Sequence, residues 1–492
     1  MVNKEREPSI DALRGLAIIG MVLSGTIGRS DSVPGWMYHA QVGPPDFKFH
    51  PEIAGISWVD LVFPFFLFTM GLAFPFALNG VLDRKDVDYK SLTKKLMFRA
   101  FNLFLFAIMI PHFSPFGLSE GLGAVRWLFA ITGFMAFMLT FTKFPKQFRY
   151  QKYGNAAGYV ALFVLVLLRY LFFDASFSIH KNDIIILVLA NMALIASAIW
   201  IVTRKNWWAR IAVLVFFFSI WLTANVSGSL NAALFQFTPL KFLGNQVPSI
   251  HQWLLPYGID TSKTVFYSMY FMKYLFIVIP GTLIGDLMYS MFKNNQPILI
   301  ARKKYGANLF ALILFSFILV NLIGLYTRQV QFTLFITLCL ILGVFFTLRK
   351  NAITIPKNAH LWLKWSFFWL VLGLLLEPYE GGIKKDPTTL SYFFVTSGLA
   401  GLALFSLKLA FNNIQFKSVF NFLPLIGKNP MVGYVVVTFL ILPLIALFGF
   451  MELFENFSRL NAVTNLLRGL FLTTIMIMIT IITVKFKLFW KT

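Results

Sequence analysis

A histidine and an aspartate lie where a polar segment leads into a strongly hydrophobic one, and these two residue types together can move protons. His50 comes just before the segment GISWVDLVFPFFLFTMG (55–71), and Asp60 lies near the start of that segment. Histidine titrates near neutral pH, and a neighbouring carboxylate can fix its tautomer or stabilise its cation. The pair therefore predicts a general base or a nucleophile. A solvated loop histidine and an aspartate that caps a helix account for the same residues without any chemistry.

Charged residues also lie inside or beside other hydrophobic segments. Asp11 and Arg14 are three positions apart in SIDALRGLAIIGMVLSG (9–25), and Arg126 lies near the start of another apolar run. Ionisable groups in such segments usually face a cavity or a partner, and a planar guanidinium can bind phosphate or carboxylate. Arg14 and Arg126 are therefore candidate anion-binding residues. An ion pair between Asp11 and Arg14 on one helical face explains that site equally well.

Two polar loops add further candidates for binding. The segment LEPYEGGIKKDPTTLSYFF (376–394) separates two apolar runs, and such a loop either lines a binding site or is a simple exposed turn. Its candidate substrate-binding residues are Glu377, Lys384, Lys385 and Asp386. In FNFLPLIGKNPMVGY (420–434), a turn at Lys428 and Asn429 starts a helix, whose N-terminal amides attract anions. This second loop is a candidate site for a phosphorylated ligand.

The composition identifies the class of protein that must position these residues. Of the 492 residues, 58% are hydrophobic and only 13% are charged, which is about half the usual charged share of a globular protein. A soluble protein cannot bury that much apolar surface, so the chain is predicted to be an integral membrane protein. The net charge of +23 is spread between apolar runs and forms no nucleic-acid-binding patch. One cysteine and no metal-binding motif predict no metal site.

The apolar runs predict an all-α polytopic fold with about 11 to 14 transmembrane helices, since a span needs roughly 20 apolar residues. We expect one transmembrane domain over residues 1–492 and no soluble domain. The loops on one side carry about three times as many Lys and Arg as those on the other, so both termini are predicted to be cytoplasmic. The candidate cores lie near 10–28, 57–79, 96–111, 122–142, 156–173, 184–202, 211–225, 265–290, 307–324, 332–348, 361–378, 389–409, 431–449 and 466–484.

This topology places the first pair of candidate residues on the outer side of the membrane. The first outer loop begins near residue 29 and leads into the second span, so the predicted catalytic region covers about residues 29–71. Five of the six histidines fall at outer loops or outer helix ends, and His39 shares the first outer loop with His50. The loop at 376–394 is also on the outer side. Its lysines contradict the charge rule there, which favours a functional role.

Several segments resemble the heparan-alpha-glucosaminide N-acetyltransferase family of transmembrane acyltransferases, in particular a bacterial branch described only as a domain of unknown function. The most specific are SIDALRGLAIIGMVL (9–23) and GISWVDLVFPFFLFTMG (55–71), followed by IKKDPTTLSY (383–392). Weaker matches are GAVRWLFAI (123–131), IPGTLIGDL (279–287) and GKNPMVGY (427–434). They follow the family's order over most of the chain.

The resemblance implies a function and assigns residues to it. Such enzymes take an acetyl group from cytoplasmic acetyl-CoA and deliver it to the amine of a terminal glucosamine on the far side of the membrane. The family's catalytic histidine precedes the aspartate of its D-L-V-F-P motif by ten residues, which is His50 here, and His39 is the alternative. A family asparagine is replaced by Gly25, so Ser24 or Thr26 is expected to supply its polar group. The tryptophan that the family has after Lys385 is also missing, which leaves the acceptor sugar open.

The resulting expectation is an acetyl-CoA-dependent N-acetyltransferase of the bacterial inner membrane, with acetyl-CoA as co-substrate, an amino sugar or glycan as acceptor and a homodimer as the implied assembly. The histidine is either the base for the acceptor amine or the carrier of the acetyl group. Arg14, Lys428 and Asn429, with Arg126, are the candidates for binding the CoA phosphates. One alternative is a transporter of amino sugars or sugar fragments without acyl chemistry, and a third is a scaffold within a glycan-processing assembly.

Overall fold

The computed structural model describes residues 7–145, 150–173, 176–263, 268–301, 304–349, 353–412 and 414–490. Within these ranges the chain is almost entirely α-helical, and the strands are four two-residue segments. The strands are β1 (Thr142–Lys143), β2 (Ile300–Ala301), β3 (Ile353–Thr354) and β4 (Phe489–Trp490). β1 pairs antiparallel with β4, and β2 pairs antiparallel with β3.

Most helices follow one another with short connections, whereas residues 27–57 form a long loop between the first two. The first ten are α1 (Pro8–Thr26), α2 (Trp58–Leu82), α3 (Tyr89–Phe113), α4 (Ala124–Phe141), α5 (Gln151–Phe172), α6 (Ile184–Thr203), α7 (Trp207–Leu222), α8 (Leu230–Phe235), α9 (Pro239–Gln246) and α10 (Pro248–Leu254). The remaining ones are α11 (Leu275–Lys293), α12 (Lys304–Tyr326), α13 (Val330–Arg349), α14 (Lys357–Leu376), α15 (Leu390–Ala410), α16 (Ile414–Phe420), α17 (Phe422–Lys428), α18 (Pro430–Val436), α19 (Leu442–Leu447), α20 (Met451–Arg459) and α21 (Ala462–Lys485).

Thirteen helical segments in the described part of the chain are long and apolar enough to cross a membrane. The prediction of an all-α polytopic membrane protein is therefore confirmed, and a lipid bilayer is its environment. One of the fourteen predicted spans, at 211–225, is not among these thirteen. It corresponds to α7, which has 16 residues. At 1.5 Å per residue α7 measures about 24 Å, against a hydrocarbon core of about 30 Å. Two cytoplasmic termini require an even number of crossings, so that prediction depends on α7.

The chain forms two compact units. The first comprises Met1–Arg84, Phe276–Tyr434 and Phe454–Ile481, and the second comprises Lys85–Leu275, Val435–Leu453 and Ile482–Thr492. Each unit has its own packed helices, whereas the sequence predicts one domain over residues 1–492. That expectation stays a prediction.

In the first unit, α15 is almost completely buried among α12, α14 and α2. Helices α1 and α17 approach so closely that only glycine fits where they meet. A Cβ on Gly15 would overlap the carbonyl oxygen of Leu423, and a Cβ on Gly427 would overlap that of Asp11. Since a methyl group at either position would push the backbones apart, these glycines bring the polar end of α1 against the turn after α17.

The second unit contains α3 to α10. α3 packs against α6, and α4 packs against α5. The Tyr159 hydroxyl of α5 donates to the Asn102 side-chain oxygen of α3 over 2.7 Å. That hydrogen bond joins the two helices at this level of the unit, and it satisfies the buried Asn102 side chain, which would be costly to leave unpaired.

Candidate functional site

The carboxylate of Asp60 lies in the first turn of α2 and is almost completely buried, with 2% of its side chain exposed. Ser57 caps the helix: its hydroxyl accepts from the Val59 N–H, and Asp60 accepts from the Ser57 N–H in return. Asp60 Oδ2 also accepts from the Ala40 N–H over 3.2 Å. The carboxylate is thus held by backbone donors from two segments, and one of its oxygens remains for a further partner.

That partner is His39. Its Nδ1 lies 2.6 Å from Asp60 Oδ1, and 37% of the histidine side chain is exposed. An ionised carboxylate only accepts hydrogen bonds, so the pairing puts the proton on Nδ1 and leaves a lone pair on Nε2. A buried aspartate that orients an accessible imidazole in this tautomer is the arrangement of a general base or a nucleophile.

Lys385 completes this cluster from the loop between α14 and α15. Its Nζ lies 3.1 Å from His39 Nδ1, 3.3 Å from His39 Nε2 and 3.8 Å from Asp60 Oδ1. Burial lowers the pKa of Lys385, while the negative charges of Asp60 and Asp386 act in the opposite direction. An ammonium group beside an imidazole can stabilise negative charge that develops on a reacting oxygen. We call His39, Asp60 and Lys385 the outer cluster.

Backbone and side-chain hydrogen bonds connect the two loops that supply the outer cluster. The side-chain amide of Gln41 donates to the carbonyl of Asp386 and accepts from the Asp386 N–H over 2.9 Å. The Gly55 N–H donates to the carbonyl of Ile383 over 2.8 Å, and the Tyr392 hydroxyl donates to the carbonyl of Asp60 over 2.7 Å. Gln41 was not predicted, since a glutamine in a polar loop carries no local signal. Tyr392 lay within the segment 383–392 but was given no role.

The side chain of His50 pairs with residues outside the outer cluster. Its Nε2 lies 2.9 Å from Asp46 Oδ2, and its Nδ1 lies 3.0 Å from Glu52 Oε1, on an exposed part of the loop. Hydrogen bonds to these two carboxylates raise the pKa of His50. Both ring nitrogens therefore have acidic partners, and Asp60 pairs with His39 instead. The preference for His50 over His39 rested on the resemblance, in which the catalytic histidine precedes the aspartate by ten residues, and that spacing does not determine how the loop folds back.

The other predicted residues of the loop at 376–394 have structural contacts. The buried carboxylate of Glu377 lies 2.6 Å from Arg328 Nη1 and accepts from the Ile383 N–H over 3.1 Å. The Lys384 N–H donates to the Thr389 hydroxyl over 3.0 Å. Asp386 takes part through its backbone, as described above. Lys385 is the member of this predicted group whose side chain joins the outer cluster.

Ser24 and Thr26 were predicted to replace a polar group of the related family near the outer end of α1. The Ser24 hydroxyl donates to the carbonyl of Met21 over 2.9 Å, and the Thr26 hydroxyl donates to that of Val22 over 2.9 Å. Hydroxyl groups bonded to their own helix backbone in this way satisfy themselves locally. Their assignment to the substrate stays a prediction.

Arg14 forms a second polar cluster in the first unit. Its guanidinium donates to Asp11 Oδ1 over 3.2 Å, to the Thr69 hydroxyl over 3.3 Å and to the carbonyl of Gly427 over 3.4 Å. The turn that contains Lys428 and the buried Asn429 follows directly. The structure therefore brings together Arg14 and the predicted anion-binding turn, and it also contains the ion pair with Asp11.

Helix α2 connects the two polar clusters. Asp60 and Thr69 are nine residues apart, which corresponds to about 14 Å along the axis of a helix. Arg126, the other predicted anion-binding residue, belongs to the second unit. Its Nη1 lies 3.7 Å from Glu120 Oε1, and its guanidinium lies over the ring of Trp127 at 4.7 Å.

Comparison with known families adds one finding. Residues 6–246, about half of the chain, match a family described as Domain of unknown function (DUF5009). This agrees with the predicted resemblance to a branch without an established function. No curated protein matches the chain. The narrower resemblance to glucosaminide acetyltransferases is not supported by these comparisons and stays a prediction.

Proposed function

We propose that this protein is a membrane acyltransferase that moves an acetyl group from cytoplasmic acetyl-CoA to the amine of an extracytoplasmic, glucosamine-type sugar. One observation carries the proposal: Asp60, buried at the start of a span, holds His39 Nδ1 at 2.6 Å, with Lys385 beside the ring. A solvated loop histidine needs no buried carboxylate partner, and a helix cap needs no histidine. The combination of both with a lysine supplies a base and a group that stabilises developing negative charge, the two functions that acyl transfer uses.

In this proposal His39 acts as the base. Its Nε2 takes a proton from the ammonium of the acceptor, and the freed nitrogen lone pair attacks the thioester carbonyl carbon. The carbon–sulfur bond breaks, the second proton lost by the nitrogen neutralises the leaving thiolate, and His39 releases the first proton to water. Lys385 stabilises the negative charge on the carbonyl oxygen while the bond forms. Transfer through an acetylated His39 uses the same groups in two steps.

The Arg14 cluster supports a route for the donor from the inner side. It lies about 14 Å along α2 from Asp60, closer to the predicted cytoplasmic end, and it joins α1, α2 and the turn after α17. In the proposal, Arg14 and the adjoining turn at Lys428 and Asn429 bind the phosphate-bearing part of CoA, and the acetyl group extends toward His39. The membrane is the bacterial cytoplasmic membrane, as the resemblance implies.

The test compares two histidines of the same loop in sealed vesicles that contain the purified full chain. Labelled acetyl-CoA is supplied on one face and glucosamine on the other, and labelled N-acetylglucosamine is measured. We expect His39→Ala to abolish product formation, whereas His50→Ala, the matched control on the exposed part of the loop, retains it. Thermal unfolding of both variants checks that they fold.

Three other outcomes contradict specific parts of the proposal. Loss of product in His50→Ala but not in His39→Ala transfers the catalytic role to His50. Accumulation of unmodified glucosamine inside the vesicles without release of CoA supports the alternative of a sugar transporter. No labelled product and no transport with the wild-type chain removes glucosamine as the acceptor, and other amino sugars or glycan hydroxyls then replace it in the same assay.

A further inference from the structure

Arg169, in the second unit, has a buried guanidinium without a charged partner among the described residues. Only 4% of the residue is exposed, and neither its Nε nor its Nη1 has a hydrogen-bond partner. The residue lies in the last turn of α5, near the predicted outer end of that span. A buried charge that is neither paired nor hydrogen-bonded is strongly unfavourable, so an arginine in this state indicates a missing anion.

The surroundings of Arg169 follow from the register of α3 and α5. Tyr159 of α5 donates to Asn102 of α3, and ten residues further along each helix are Arg169 and His112. Because these helices run in the same direction, Arg169 and His112 lie at the same depth. His112 donates through Nδ1 to the carbonyl of Ile108 over 2.8 Å and accepts through Nε2 from the Ser178 N–H over 3.1 Å. The imidazole is thus neutral and supplies no counter-charge.

A second cation, Lys181, lies on the loop that His112 holds in place. Its side chain is exposed, and partial burial of the amino group, together with the positive charge of Arg169, lowers the pKa of Lys181. The neighbouring described carboxylates are engaged elsewhere. Asp183 caps α6 by accepting from the Ile186 N–H, and Asp260 accepts from Ser262 and pairs with Lys263. Arg169 and Lys181 are therefore two neighbouring cations at one end of α5, and no carboxylate in the described part of the chain is bonded to either.

The position of this end of α5 indicates where the anion comes from. The side chains of Tyr170, Leu171 and Phe172, which follow Arg169 directly, are all exposed, as are most apolar side chains along this helix. In a membrane protein such a face contacts lipid acyl chains. An anion that reaches Arg169 along this face carries its own hydrocarbon chains. Arginine binds phosphate through two parallel N–H donors, and lysine adds a point charge.

We infer that Arg169 and Lys181 form a binding site for the phosphate of an anionic phospholipid headgroup in the outer leaflet. The acyl chains lie along the exposed face of α5, and the phosphodiester replaces the missing partner of the guanidinium. The exposed Lys181 contacts the same headgroup from the loop side. This site is independent of the proposed acetyl transfer, since none of its residues belongs to the outer cluster.

The test measures thermal unfolding of the purified full chain in neutral detergent with added phosphatidylglycerol, phosphatidylcholine or inorganic phosphate. We expect phosphatidylglycerol to raise the melting temperature of the wild type more than phosphatidylcholine does, and inorganic phosphate to have little effect. Arg169→Gln removes the difference between the two lipids, while Arg169→Lys keeps part of it. Lys181→Gln, at an exposed position that does not endanger folding, weakens the apparent lipid affinity several-fold. The control Arg459→Gln removes an exposed arginine elsewhere and changes nothing.

Distinct results overturn the inference. Equal effects of the two lipids on the wild type exclude a site selective for anionic headgroups. A lipid difference that survives in both Arg169→Gln and Lys181→Gln places the lipid elsewhere on the protein. An equal rise with inorganic phosphate shows a soluble-anion site instead. Asp174, the acidic residue next in sequence, lies outside the described residues. If Asp174 is the counter-ion of Arg169, phosphatidylglycerol and phosphatidylcholine differ in their effect on the melting temperature only in Asp174→Asn. We expect the two lipids to differ already in the wild type.

Discussion

Replacing Asp60 by asparagine tests whether the carboxylate sets the tautomer of His39. In the wild type, Oδ2 accepts hydrogen bonds from the backbone N–H groups of Ser57 and Ala40, while Oδ1 faces His39 Nδ1 at 2.6 Å. Asparagine has a single acceptor oxygen, and we expect it to stay with the two backbone donors. Its NH₂ group then faces Nδ1, so the imidazole must carry its proton on Nε2 instead. In that tautomer Nε2 cannot take a proton from the ammonium group of the sugar.

The size of the effect follows from the interactions that are lost. A hydrogen bond to a charged group contributes about 1.5 to 3 kcal/mol, so losing the contact with His39 alone reduces turnover about tenfold to a hundredfold. The wrong tautomer adds to this, and the same substitution in serine proteases lowers turnover about 10⁴-fold. We therefore expect Asp60→Asn to reduce acetyl transfer by about three to four orders of magnitude. Because the helix cap survives, the free energy of unfolding falls by only about 1 to 3 kcal/mol.

The assay is transfer of labelled acetyl groups in vesicles, with thermal unfolding of each variant measured in parallel. The matched control is Asp46→Asn, which makes the same chemical change beside His50, where Asp46 Oδ2 lies 2.9 Å from the ring. We expect this control to retain wild-type turnover. Turnover of a folded Asp60→Asn protein within about threefold of the wild type refutes the tautomer argument. Equal losses in both variants refute the choice of His39 over His50.

Three further predictions concern the loops around the outer cluster. Gln41→Ala removes the amide that pairs with the backbone of Asp386. We expect the free energy of unfolding, measured by chemical denaturation, to fall by about 1 to 2 kcal/mol and acetyl transfer to decrease. If neither quantity changes, Gln41 does not position the loop. Glu377→Gln leaves Arg328 without its charged partner. We expect the free energy of unfolding to fall by about 1 to 3 kcal/mol, because the arginine is partly exposed. An unchanged melting temperature contradicts this prediction. The raised pKa of His50 predicts that its charged form stabilises the loop below its ordinary pKa and that this stabilisation disappears as the pH rises through the raised value. The melting-temperature difference between wild type and His50→Gln should therefore shrink from acidic to alkaline pH, and a difference that grows refutes the assignment.

The sequence alone was sufficient for the class of the protein and the positions of its long apolar helices. Every predicted span has a helix in the described structure, including 211–225, which corresponds to the shorter helix α7. Apolar runs of about 20 residues have few alternatives in a bilayer, because unpaired backbone groups are too costly there. The start of α2 also depends only on residues close in sequence, since Ser57 and Asp60, three residues apart, form a capping box.

Pairing between distant segments was decided only by the tertiary structure. The family resemblance favoured His50, yet the loop folds back so that His39 contacts the carboxylate of Asp60. His50 pairs with Asp46 and Glu52 instead. Lys385 lies 346 positions from His39, and no local pattern connects them. In the second unit, the isolation of Arg169 likewise depends on how α3 and a loop pack around it. Such contacts result from loop closure and side-chain packing over long sequence separations. Local periodicity indicates only the face of its own helix on which a residue lies.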